Sequence, residues 1–200
     1  MMFRLPRLNV QRPRHQGEPP LPHYTAPQIM PPLRSGKRSN SDRRGASSGS
    51  HADAATVHAA AVALLARRDF ACAELRAKLC SKGFEDATAG QVIAELAARG
   101  ILDDQRFAEN YVNWHAGRGQ GPIRIAAQLR RCGLPEELID AALASGPDWH
   151  ALARRARSAK FGRQPPASWA DKARQARFLQ YRGFSSDHIR ATTGADPDVD

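Results

Sequence analysis

The sequence predicts an all-α protein: three tandem three-helix units stacked into an elongated curved array behind a disordered N-terminal tail. Three observations lead there. First, the stretches LCSKGF (Leu79–Phe84), LRRCGL (Leu129–Leu134) and LQYRGF (Leu179–Phe184) write one turn three times, with Gly83, Gly133 and Gly183 spaced 50 residues apart. Second, the apolar residues around these turns recur with the period of a helix, and no segment alternates with the period of a strand. Third, residues 1–50 are rich in Pro, Arg, Ser and Gly and carry no period, a composition that buries too little to order itself. Repeats at about this interval stack so that neighbours share a core.

From His51 the pattern turns helical. ADAATVHAAAVALLARR is Ala-rich and strongly helix-prone. A break at Asp69–Phe70 precedes ACAELRAKLCSK, where Cys72, Leu75 and Leu79 share a face and Gly83 ends the helix. EDATAGQVIAELAARG places Val92, Ile93 and Leu96 on one stripe and stops at Gly100. The second round opens with DDQRFAENYVNWHAG, whose acidic start suits the positive end of a helix dipole and whose Phe107, Tyr111 and Trp114 share a face. GPIRIAAQLRRCG follows with Pro122 in its first turn, and LPEELIDAALASG turns Leu138, Ile139, Ala142 and Leu143 inward. The third round is DWHALARRARSAKFG, SWADKARQARFLQYRG and SSDHIRATTG, with Ser168 and Asp171 in a capping-box-like S-x-x-D. Positions 139 and 189 are both Ile, so the register extends beyond the turn. The expected units are residues 51–101, 102–146 and 147–195. In each, the turn joins the second helix to the third, and the Leu or Phe after Gly packs back into the core.

Charge narrows the partners. The 200 residues hold 30 Lys+Arg against 20 Asp+Glu, a formal net charge of +10. Such a balance suits a polyanion, nucleic acid before membrane. Nine Lys/Arg against two Asp/Glu fall within residues 1–50, so much of the excess belongs to the tail. That tail reads as solvated chain, with a basic arm on nucleic acid as the alternative. Cys72, Cys80 and Cys132 form no metal-ligand spacing, and a sparse, odd count fits a reducing cytosol. They read as small core fillers. No apolar run approaches a membrane span, and MMFRLPRLNV lacks the unbroken core of a secretory signal, so a cytoplasmic protein is expected.

No catalytic constellation emerges, and neither a cofactor nor a metal is expected. The pair Asp103–Asp104 points in two directions on a helix, which favours a helix-start role over acid/base chemistry. Arg118-Gly-Gln-Gly-Pro122 follows a helix rather than a strand and lacks a Lys-Ser/Thr, so it reads as a flexible inter-helix turn rather than a phosphate cradle. Phe107, Tyr111 and Trp114, at helical spacing, read as core rather than as base-stacking residues.

The basic residues carry more. Arg124, Gln128 and Arg131 fall at i, i+4 and i+7, away from Ile125 and Leu129. In the third unit Arg174 takes the position of Arg124, and Tyr181 that of Arg131. Arg177 joins them in a stretch, residues 148–182, with nine Lys/Arg against Asp148 and Asp171. A solvated helix face is the plain reading. Recurrence at equivalent positions favours an electrostatic contact surface made of Arg124, Gln128, Arg131, Arg174, Arg177 and Tyr181.

RRDFACAELRAKLCSKGF, LAARGILDDQRFAENYV and GRGQGPIRIAAQLRRCGL, in that order, resemble the RecX family of bacterial RecA regulators. The resemblance spans roughly residues 55–190 and is sharpest at Glu74-Leu75, Leu79 and Gly83, at Leu102-Asp103-Asp104 with Phe107-Ala108, and at Arg118-Gly119 with Gly121-Pro122 and Ile125. One departure is Ala71-Cys72, where the family often has a Ser capping the second helix. The resemblance implies a curved all-α modulator without an active site, and a monomer is expected. Such a protein would lie in the groove of the RecA–DNA filament, contact protomers and DNA, hinder strand exchange and depress ATP turnover. The competing reading is a direct DNA-binding protein of tandem helix-turn-helix-like units, although no helix carries the Asn/Arg set expected for base readout.

Overall fold

A computed structural model of the chain describes residues 54–195; the expected tail lies outside the described residues. Among these residues all regular structure is helical. The elements are α1 (Ala54–Leu65), α2 (Cys72–Ser81), α3 (Asp86–Ala98), α4 (Asp104–Gly117), α5 (Pro122–Arg131), α6 (Glu136–Ala144), α7 (Trp149–Phe161), α8 (Trp169–Arg182) and α9 (Ser186–Thr193). Helices pack mutually in threes, α1–α3, α4–α6 and α7–α9, each trio around its own core.

Local chemistry sets the boundaries. Asp103 caps α4 by accepting the Arg106 N–H at 3.0 Å, and Asp148 caps α7 by accepting that of Ala151 at 3.0 Å. Ser168 accepts the Asp171 N–H at 3.1 Å at the start of α8. Ser185 and His188 form a reciprocal capping box on α9. The second helix of each unit ends in the same Schellman turn: φ is 95° at Gly83, 83° at Gly133 and 88° at Gly183. The next residue donates its N–H back to the helix, Phe84 to Leu79, Leu134 to Leu129 and Phe184 to Leu179, at 3.1–3.4 Å. Leu134 and Phe184 are buried and Phe84 half-buried, so the turn also supplies core. Ala89, Ile139 and Ile189 are buried at equivalent positions, which extends the register through the third helices.

The units are coupled through the start of each second helix. Neither α2 nor α5 has a side-chain cap of its own. For α2, the Cys72 N–H donates to Asp104 Oδ1 of unit 2 at 2.8 Å. The cap that Ala71-Cys72 does not itself provide is therefore supplied by the neighbouring unit, and Ala71 lies within the unit-2 core. For α5, the Gly121 N–H donates to the Arg182 carbonyl at 2.8 Å and the Ile123 N–H to the Gly183 carbonyl at 3.0 Å. The last carbonyls of α8 thus satisfy the first N–H groups of α5, and two helix dipoles meet positive end to negative end. Approach at this joint is so close that a Cβ on Gly183 would collide with the Arg124 side chain and backbone.

The smallest core is that of unit 3, and a buried polar cluster supplements it. Arg157, 7% exposed, donates to the carbonyls of Gln164 at 2.8 Å and Arg163 at 3.2 Å and to Gln175 Oε1 at 3.3 Å. These bonds pin the loop between α7 and α8. The turn Arg118–Pro122, expected to be flexible, is also tied down: Arg182 Nη1 donates to the Arg118 carbonyl at 3.0 Å, and His115 Nδ1 meets Gln120 Oε1 at 3.1 Å.

Candidate functional site

Two helix faces make the candidate surface. On α5 the apolar side holds Ile125, Ala126 and Leu129, which leaves Arg124, Ala127 and Arg131 facing outward. On α8 the buried set is Gln175, Ala176 and Leu179, which leaves Arg174, Arg177 and Tyr181 outward. Because α8 ends where α5 begins, the two rows join. At the joint Arg124 Nη1 donates to the Tyr181 carbonyl at 3.3 Å, and its guanidinium lies 5.6 Å from the Tyr181 ring centroid. The result is one track in the order Arg131, Arg124, Tyr181, Arg177, Arg174, crossing from unit 2 to unit 3.

Its members differ in freedom. Tyr181 is 77% exposed, an unusual position for a large aromatic, and Ile123 beside the joint is also exposed. Arg131 holds its guanidinium over its own helix by donating to the Ala127 carbonyl at 3.3 Å. Arg174 pairs with Asp171 at 2.8 Å, an exposed ion pair that leaves it available to a stronger anion. Arg124 is half-buried and serves the joint as well as the surface.

Gln128 does not belong to the track. It is 5% exposed and accepts a hydrogen bond from Tyr111 Oη at 3.3 Å. The i+4 spacing places it on the flank of the apolar stripe, where the Tyr111 hydroxyl needs a partner inside the core. Phe107 and Tyr111 are buried as expected. Trp114 is half-buried and carries the Arg118 guanidinium 3.8 Å above its ring. The track does not continue into unit 1, where the equivalent positions are Glu74, Ala77 and Ser81. Glu74 there binds Arg68 at 2.6 Å.

Nothing in the described residues gathers three or more His, Cys, Asp or Glu in a metal-holding group. Cys72 and Cys132 are pushed up to about 11, first by burial and then by the nearby carboxylates of Asp104 and Glu74 respectively, which suits packing rather than nucleophilic roles. Among the described residues no helix is long and apolar enough to cross a membrane. Sequence reasoning missed a second basic feature, a cleft of about 280 Å³ beside the track, which Arg118, Arg155, Lys160 and Arg182 line. Its cations come from three separate segments; the run Arg118–Pro122, set aside as a turn, and the excess of Lys/Arg over residues 148–182 were the signals in the sequence, and nothing there joins them.

Residues 58–96, 103–143 and 148–192 match the family models described as the first, second and third three-helix domains of RecX. The protein named Regulatory protein RecX of Halorhodospira halophila is 43% identical over 145 residues, covering 72% of this chain and 90% of that protein. The protein of the same name from Stenotrophomonas maltophilia (strain R551-3) is 42% identical over 139 residues, 69% of this chain and 85% of that one. A crystal structure of RecX from Lactobacillus salivarius aligns with a TM-score of 0.62 and 20% identity over 70% of this chain and 94% of that one, a likeness of fold.

Proposed function

Since the chain belongs to the RecX family of regulatory proteins, we propose that it acts on the RecA–DNA filament as a non-enzymatic modulator. It would lie against protomers and DNA, hinder strand exchange and lower ATP turnover, acting as a monomer in the cytoplasm without a cofactor. The observation that carries this reading is the continuous track Arg131–Arg124–Tyr181–Arg177–Arg174, which exists only because two units abut. A surface that bridges repeats suits a long, regularly charged partner better than a compact one.

The alternative, direct DNA binding by helix-turn-helix-like units, draws on the same arginines. Against it, the track offers arginines with one tyrosine, a set that grips phosphates and stacks, and it lacks the Asn and Gln that read adenine. The test is single-strand-DNA-dependent ATP hydrolysis by the cognate RecA, titrated with the protein. Falling turnover at near-stoichiometric protein supports the proposal. Unchanged turnover, alongside tight binding to bare DNA, supports the alternative.

A further inference from the structure

The cleft beside the track is built at the joint between units 2 and 3. Arg118 comes from the loop after α4, Arg155 and Lys160 from the two flanks of the α7 side that carries Ala156 and Ala159, and Arg182 from the last turn of α8. No carboxylate lines it, and among the described residues none of its four cations makes an ion pair. Four unpaired cations brought together repel one another, an arrangement that an anion relieves.

We propose that this cleft seats the phosphodiester backbone of a nucleic-acid strand. Two of its arginines are held in place before any ligand arrives. Arg118 lies over the Trp114 ring at 3.8 Å, which occupies its face and leaves its N–H edge free. Arg182 is fixed by its bond to the Arg118 carbonyl and by Phe178, whose ring centroid is 5.3 Å from its guanidinium. Arginine so oriented gives two parallel N–H donors to a phosphate. Arg155 and Lys160 are exposed on α7, long side chains with the reach to meet it from the other wall. The loop backbone takes no part, because the N–H groups of Arg118, Gly119, Gln120 and Gly121 all donate to carbonyls of the protein. Side chains alone hold the anion.

Size and position identify the ligand class. A volume of about 280 Å³ lies just below the roughly 300–1,000 Å³ usual for ligand pockets, room for a phosphate and its sugar rather than a folded cofactor. Phe178 and Ala156 give the cleft an apolar side for the sugar. Arg182 follows Tyr181 on α8 and Phe178 follows Arg177, so the cleft row and the track row run along adjacent sides of one helix, about 100° apart. A strand leaving the cleft meets an exposed aromatic and then Arg177 and Arg174, as a polymer of evenly spaced phosphates requires. The inference rests on the reading of the track in one respect: the same strand would run through both.

The experiment uses the full chain without RecA and a fluorescein-labelled oligothymidylate, with anisotropy read over a series of salt concentrations. The variant Arg155→Ala/Lys160→Ala removes two exposed cleft charges that make no contact across the joint. The variant Arg67→Ala/Lys82→Ala removes two exposed charges from unit 1. The basic residues 1–50 are present in all three proteins and contribute equally. The cleft variant should bind at least about fivefold more weakly, with a salt slope shallower by about 1.4, while the unit-1 variant stays within about twofold of the parent. Lys160→Gln alone, expected to weaken binding in the same direction, serves if the double variant unfolds. Equal losses in the two double variants would show a diffuse charge effect and overturn the proposal. Poly-glutamate displacing the oligonucleotide at equal charge concentration would also overturn it, assigning the cleft to an acidic peptide. Because RecA is absent, failure of filament regulation leaves this result standing, and failure here leaves filament regulation untouched.

Discussion

His115 lies in the last turn of α4, 5% exposed, stacked on Tyr111 at 4.1 Å and met edge-on by Trp114 at 4.6 Å. Burial holds its pKa down to about 4, the Arg118 and Arg124 charges push the same way, and the bond to Gln120 opposes them. Above about pH 6.5 the ring is neutral folded or unfolded and contributes no pH dependence. As pH falls from about 6.5 to about 4 the unfolded chain gains a proton that the folded chain refuses, and stability drops by up to about 3 kcal/mol. Thermal unfolding across that window should therefore show a falling melting temperature that His115→Gln flattens. His188, also depressed by burial and by His150, adds to the slope that remains, as do the depressed carboxyls of Glu136, Asp86 and Asp148 at its acid end. An identical pH profile in the variant would remove His115 from the account. Arg157 makes a second residue-scale test. Arg157→Met should destabilise unit 3 by about 1–3 kcal/mol in chemical denaturation, since it strips donors from the Gln164, Arg163 and Gln175 oxygens. Residues like these mark where reading the sequence stops. Gln128 sits at the edge of an apolar stripe, and its burial is decided by a hydroxyl seventeen residues away on another helix.

At the scale of the element, the helices and turns were legible because their causes are local. Gly83, Gly133 and Gly183 announce their turns through the flanking Leu and Phe, and Pro122, Asp103, Ser168 and Asp171 announce helix starts. What caps α2 and α5 was not legible, because the partners belong to the next unit. The three turns therefore separate local strain from contact between units. Gly83→Ala adds a methyl in open space at positive φ and should cost about 1–2 kcal/mol. At Gly133 the same methyl would stand 2.6 Å from Ala73 Cβ, and at Gly183 it would strike Arg124, so the melting temperature should fall in the order Gly83→Ala, Gly133→Ala, Gly183→Ala. Equal losses would mean that the turns do not carry the joints. Asp104→Ala should cost about 1 kcal/mol and speed amide exchange in the first turn of α2, although residue 104 belongs to α4.

At the scale of the whole molecule, three cores that adjoin through Ala71 and Leu152 place chemistry on surfaces that no single unit owns. The basic recurrence at positions 124 and 174 was visible in the sequence, but its continuity through the Arg124–Tyr181 joint was not, because those residues stand 57 positions apart. The cleft was hidden for the same reason, with Arg118 and Arg182 separated by 64 positions. The central claim is that the track engages a polyanionic filament. The most direct measurement is affinity for RecA assembled on single-stranded DNA at several salt concentrations, comparing the parent with Arg131→Ala/Arg174→Ala/Arg177→Ala. Arg124 is left in place because it also bonds across the joint. These three side chains are exposed, so circular dichroism and melting temperature should be nearly unchanged. The account predicts weaker binding and a salt slope shallower by about 2, the counterions of three lost contacts to a single strand. A folded triple variant that binds with the parent's affinity and salt slope would contradict it.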